Sequence, residues 1–196
     1  MSPYIAGLGL DRGLQEVLGG VMARVSLVDA EKDPECSDFV EKLKAGRRGK
    51  LLNIYKLLLH NPPAARGWFD YLNVVRWDLG LEGRLREMVI IRIAYLNRVQ
   101  YVINQHVPEL AEAEGLSISE CDALKDWEKS DLFNEKDRNV LGYTDAMTKD
   151  IHVPDSIYDK MSVHFEEKAI IALTVLIGTY NMHTRIFQAL DIDLEE

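Results

Sequence analysis

Cysteine is scarce: the 196-residue chain holds two, Cys36 and Cys121. They are too far apart for a CxxC, a zinc-finger spacing or a local disulfide framework, and so few thiols fit a reducing, cytoplasmic setting. Basic charge is short as well, with 23 Lys and Arg against 32 Asp and Glu and a net charge of −9. Nucleic acid and anionic membranes are therefore not the expected partners, since either needs a basic face to neutralise phosphates. Long apolar runs are also missing. The longest, 169–178 (AIIALTVLIG), would cross about half a bilayer and reads as a buried core helix. The opening MSPYIAGLGLDRG has neither the basic start nor the apolar block of a signal peptide. No linker rich in Gly, Ser or Pro divides the chain.

What remains is helical periodicity over most of the length, with little strand-like alternation, which predicts an all-α fold. Expected helices cover 11–25, 39–45, 51–60, 64–79, 84–97, 101–114, 117–129, 135–148, 154–161 and 166–190. Asn61-Pro62-Pro63 should stop one helix and open the next, because proline fits a first turn and not an interior. Pro108 should kink 101–114, and Gly115 should close it from the C′ position. Ser117-Ile118-Ser119-Glu120 has the form of a capping box. A faint repeat aligns Glu87–Ala94 with Glu167–Thr174, a hint of duplicated helical hairpins.

Five histidines are present. His60 ends a helix, where it would face the macrodipole, and His152 and His164 lie in polar, solvated surroundings. His106 differs, sharing one helical face with Val99 and Val102. The segment Glu87-x11-Val99-x-x-Val102-x-x-x-His106 resembles the signature of the carboxymuconolactone decarboxylase and alkyl hydroperoxidase D-like family, a Glu followed after eleven residues by Cys-x-x-Cys-x-x-x-His. The blocks RGKLLNIYKLLLHNPP, GRLREMVIIRIAYL and VLIGTYNMHTRIFQALDIDLEE are similar to that family too, in the same order. The resemblance covers roughly 47–196 and implies a helical bundle of hairpin repeats. Residues 1–46 are then an N-terminal helical extension.

The departures set the functional expectation. Valine at 99 and 102 provides no thiolate, so the family's peroxide chemistry is disfavoured. The resemblance then points to the branch lacking those cysteines, which includes the decarboxylase of the family name. It implies a cofactor-independent lyase, without metal, that decarboxylates or isomerises a small carboxylated lactone or related acid. Such a reaction needs a proton donor to carbon and hydrogen-bond donors where enolate charge develops. His106 suits the acid–base role, Glu87 would orient it, and Tyr101 could donate to the oxyanion. Tyr180, Asn181, His183 and Arg185 interrupt the last apolar helix and form the expected substrate-binding set. Either Arg185 or Arg92 could take a carboxylate. The alternative is a non-catalytic small-ligand-binding or scaffold homologue. A last helix that is apolar nearly all round, together with the resemblance, implies a homo-oligomer, a trimer or hexamer favoured over a dimer.

Overall fold

The computed structural model describes residues 23–30 and 36–195, and its described elements are helical without strands. In chain order they are α1 (Ser37–Ala45), α2 (Asn53–Leu58), α3 (Pro62–Asn73), a π-helical turn (Val74–Asp78), α4 (Gly83–Leu96), α5 (Gln100–His106), α6 (Glu109–Ala113), α7 (Ile118–Ala123), a 3₁₀ turn (Leu124–Lys129), α8 (Glu135–Lys149), α9 (Asp155–His164) and α10 (Glu167–Leu190). The all-α expectation holds. Of the expected first helix, residues 11–22 lie outside the described residues, and 23–25 are not helical.

Local signals explain most boundaries. Pro62 and Pro63 open α3 while Asn61 accepts the Ala64 amide. Ser117 and Glu120 form the reciprocal capping box. Gly115, at φ 83°, lets Leu116 N–H reach back to Ala111 O at 2.8 Å. Pro108 does more than kink its helix. It separates α5 from α6, with Val107 in an extended conformation, because proline lacks the amide and disfavours helical angles before it. The expected helix over 64–79 likewise changes character, widening to π geometry from Val74 onward.

Helix α4 is the central element. Residues Leu85 through Ala94 are all buried, and α4 packs against both α8 and α10. Arg92 is therefore inside, where Asp145 of α8 receives it in a fork, Nε–Oδ1 2.7 Å and Nη2–Oδ2 2.5 Å. Its Nη1 donates to Leu124 O and Lys125 O, so the guanidinium also ties down the 3₁₀ turn. Helix α1 joins the same core, with Phe39 edge-on to Phe69 of α3 at 6.2 Å.

Helix α10 is enclosed on most sides. A stripe comprising Ile171 (63% exposed), Gly178, Met182 and Arg185 faces outward.

The α4–α5 turn is fastened to α10. Arg98 takes the left-handed conformation at φ 57°, and Asn97 Nδ2 donates to Asn181 Oδ1 (3.1 Å) and Thr184 Oγ1 (2.8 Å). Gln188 Nε2 donates to the turn carbonyls of Asn97 and Arg98. These bonds hold the hairpin that carries Glu87 and His106.

Removing one partner of a buried pair strands the other charge. Asp145→Ala is expected to lower unfolding free energy by about 3–5 kcal/mol. Arg48→Ala, which breaks the exposed Arg48–Glu109 pair, should cost about 0–1 kcal/mol. Urea denaturation at fixed protein concentration checks both.

Candidate active site

Glu87 is wholly buried on α4, and its Oε2 lies 2.5 Å from Nδ1 of His106, itself 6% exposed on α5. Burial pushes the Glu87 carboxyl up. The facing His106, followed by Arg76 and Arg86, outweighs that effect and holds it below the usual carboxylate range. An ionised carboxylate can only accept, so Nδ1 of His106 carries the donated hydrogen. Nε2 makes no hydrogen bond among the described residues and is left for the space that His106 lines.

That space is a cavity of about 270 Å³, enough for a small single-ring molecule. Its polar lining includes Arg47, Arg76, His106, Tyr180, His183 and Glu195, and its apolar walls include Leu72, Val102, Leu110 and Phe187. Tyr180 is 2% exposed and edge-on to His106, with ring centroids 5.9 Å apart. Burial pushes its phenol up to about 12, so it remains a hydrogen-bond donor. His183 stacks on Trp68 at 4.8 Å and contacts Phe187 at 4.2 Å, and its enclosed Nδ1 has no partner. A larger groove, about 1310 Å³, runs beside the C-terminal segment, but neither Glu87 nor His106 lines it.

Of the residues singled out from sequence, Glu87, His106, Tyr101, Tyr180 and His183 come together at or directly behind this cavity. Tyr101 lines it with its hydroxyl already donated to Glu195. Asn181 and Arg185 do not line it. Asn181 bonds Thr148, Asn97 and the carbonyl of Ile177, and Arg185 Nη1 folds back onto Asn181. Arg92 is held by Asp145, so neither arginine expected for a carboxylate faces the cavity. Arg47 and Arg76 do, and sequence reasoning missed both. Neither carries a local signal in the sequence; even the close packing at Gly46, before Arg47, where a Cβ would sit 2.7 Å from the Phe69 ring, shows only in the tertiary structure.

The histidines outside the site are more constrained than expected. His60 Nε2 is 2.8 Å from Ser26 O, and Nε2 of His164 is enclosed. Neither cysteine lines the cavity. Both are buried, and burial, followed by Glu120 and Asp122, pushes Cys121 up to about 11.

The buried carboxylate–imidazole pair thus opens on a small cavity whose described lining contains no cysteine. Residues 62–146 match the model of the carboxymuconolactone decarboxylase family. Valine occupies both of the family's motif cysteine positions.

Two curated relatives are uncharacterized proteins, YnjA of Escherichia coli and YdfG of Bacillus subtilis. YnjA is 31% identical over 64% of this chain and 66% of its own length, and YdfG 24% identical over 52% and 69%. The chain thus matches about two thirds of the length of each. An AhpD-type protein of unknown function from Agrobacterium tumefaciens superimposes with TM-score 0.67 at 27% identity, over 71% of this chain and 95% of that one. A cysteine-to-alanine variant of the debrominase Bmp8, in complex with 2,3,4-tribromopyrrole, shares the fold at TM-score 0.72 and 17% identity, over 87% and 91%.

His183 makes folding pH-dependent. Burial, followed by His106, Arg76 and Arg47, pushes it down to about 3. The unfolded chain takes up this proton near pH 6.5 while the folded chain does not. Stability should therefore fall as pH drops below about 6.5, by up to about 1.4 kcal/mol per unit from this group. His183→Phe should flatten that slope in urea titrations between pH 7 and pH 4 (about one proton fewer taken up on unfolding).

Proposed function

We propose that this protein is a cofactor-independent lyase or isomerase acting by proton transfer on a small unsaturated carboxylic acid or carboxylated lactone. The observation that carries the reading is the buried Glu87–His106 pair, which leaves Nε2 of His106 facing a cavity that contains no thiol.

In decarboxylation, the bond between the ring carbon and the carboxylate breaks, and its electron pair passes into the conjugated carbonyl as a dienolate. Tyr180, a protonated and buried phenol, donates to the developing oxyanion. Nε2–H of His106 then protonates carbon, with Glu87 stabilising the imidazolium that precedes transfer, and water restores the proton. Isomerisation uses the same groups, with His106 first removing a proton and then returning it elsewhere. Tyr101 is not assigned the oxyanion role, because Glu195 holds its hydroxyl hydrogen.

Carbon dioxide release from a panel of carboxylated unsaturated lactones, with deuterium uptake from solvent as the readout for isomerisation, tests the reading. His106→Ala is expected to lower turnover by about 10²–10⁴-fold with helicity unchanged. Undiminished turnover in that variant removes His106 from the mechanism. Binding without turnover in the wild type would leave a ligand-binding homologue instead.

The outward stripe on α10 supports self-association, the trimeric or hexameric form being the favoured assembly. Ile171→Glu would place a charge on that stripe and is expected to shift sedimentation to smaller species. An unchanged sedimentation coefficient would locate the interface elsewhere.

A further inference from the structure

Arg47 and Arg76 line the cavity, take no part in the proton transfer, and have no carboxylate of their own among the described residues. Arg47 is 9% exposed, yet its hydrogen-bond acceptors are all neutral: Gly46 O at 2.7 Å, Asn73 Oδ1 at 3.1 Å and the Tyr55 hydroxyl at 2.8 Å. Its guanidinium lies 4.8 Å from the Phe69 ring centre. Arg76 projects from the π-helical turn, its Nε is enclosed without a partner, and it forms no ion pair within 4 Å among the described residues. The arginines elsewhere in the core behave differently. Arg84 meets Asp137 at 3.0 Å, Arg86 meets Glu114 at 2.8 Å, and Arg92 meets Asp145 at 2.5 Å.

Arg47 is buried and Arg76 half-buried, and a shielded cation without a counter-charge is unfavourable, which a ligand anion would offset. Glu195, the carboxylate that lines the same cavity, does not fill this role. It is held by the Tyr101 hydroxyl and the Asn53 amide (2.8 Å) and pairs with neither arginine. The enclosed, unpartnered Nδ1 of His183 marks a second polar group without a protein partner here. Beside it, the rings of Tyr180, His183 and Phe187 form an aromatic wall, with His183 5.4 Å from Tyr180 and 4.2 Å from Phe187.

We propose that Arg76, supported by Arg47, is the anion-recognition residue of this cavity, and that it takes the carboxylate of a small planar acid whose ring lies against Tyr180, His183 and Phe187. The π turn brings Arg76 to this position, widening the helix where a regular turn would continue it. The proposal rests on the functional reading above only in taking the same cavity as the ligand site.

Trp77, whose ring centre is 4.8 Å from the Arg76 guanidinium, and Trp68, stacked on His183, serve as fluorescent reporters. The full chain is titrated with benzoate and with benzamide, which matches it in shape without the charge. Benzoate is expected to give a saturable change, with benzamide at least about tenfold weaker. Arg76→Ala should erase that preference, and Arg76→Lys, which keeps the charge without the planar fork, should restore part of it. Arg185→Ala, outside the cavity, should bind benzoate as the wild type does. Circular dichroism establishes that each variant is folded. If Arg76→Ala does not fold, Arg76→Lys and the two wild-type titrations decide.

Equal binding of benzoate and benzamide, wild-type affinity in a folded Arg76→Ala, or no benzoate binding at millimolar concentration would each overturn the proposal. Charge-selective binding without carbon dioxide release would keep the anion site and remove the lyase. Turnover without charge preference would do the reverse.

Discussion

A carboxylate with no solvent exposure can remain in a protein core only if something there is bound to it, and Glu87 depends on His106 for this. The contact joins α4, the most buried helix, to α5, the short helix that follows the turn at Asn97 and Arg98. It also sets the orientation of the imidazole, since Nδ1 faces inward to the carboxylate and Nε2 must face the cavity. The surrounding structure maintains that geometry. Asn97 and Gln188 fasten the turn to α10, and the Arg92–Asp145 fork keeps α4 in register with α8. The site is therefore a property of the core, and its polarity is tolerated because each charge behind the cavity has an opposite one.

The cavity itself is arranged differently. Behind it the charges are paired, whereas on its walls Arg47 donates only to neutral acceptors and Arg76 forms no ion pair within 4 Å among the described residues. His183 is kept neutral by burial first, then by His106 and the two arginines. The resulting pocket combines a fixed positive field, a neutral histidine, a protonated tyrosine and an oriented imidazole. Those are the components on which the proposed proton transfer to an anionic substrate draws.

Helix positions were largely legible in the sequence because their determinants are local. Apolar periodicity, the Pro62–Pro63 opening, the Ser117 capping box and Gly115 each act over a few residues. Where a long pattern was broken, the cause was local but its extent was not. Pro108 splits two helices instead of bending one, and the π turn at Val74–Asp78 leaves no mark in the hydrophobic periodicity. In the site, the Glu87 and His106 spacing was readable because both lie on one hairpin. Tyr180 and His183 were readable as polar breaks in an apolar helix. Asn181 and Arg185 looked alike in sequence, but helix rotation turns them toward Asn97 and Thr148, away from the ligand space.

The sequence by itself determined the fold class, the family resemblance and the absence of thiol chemistry at positions 99 and 102, since these follow from residue type and short-range spacing. The tertiary structure decided which polar groups share a cavity and which neutralise one another. Arg92 and Arg76 are both arginines on core-facing helical segments, and no local pattern separates them. Asp145, fifty-three residues further along the chain from Arg92, makes one of them structural. Arg76 has no such partner among the described residues, which leaves its charge available to a ligand.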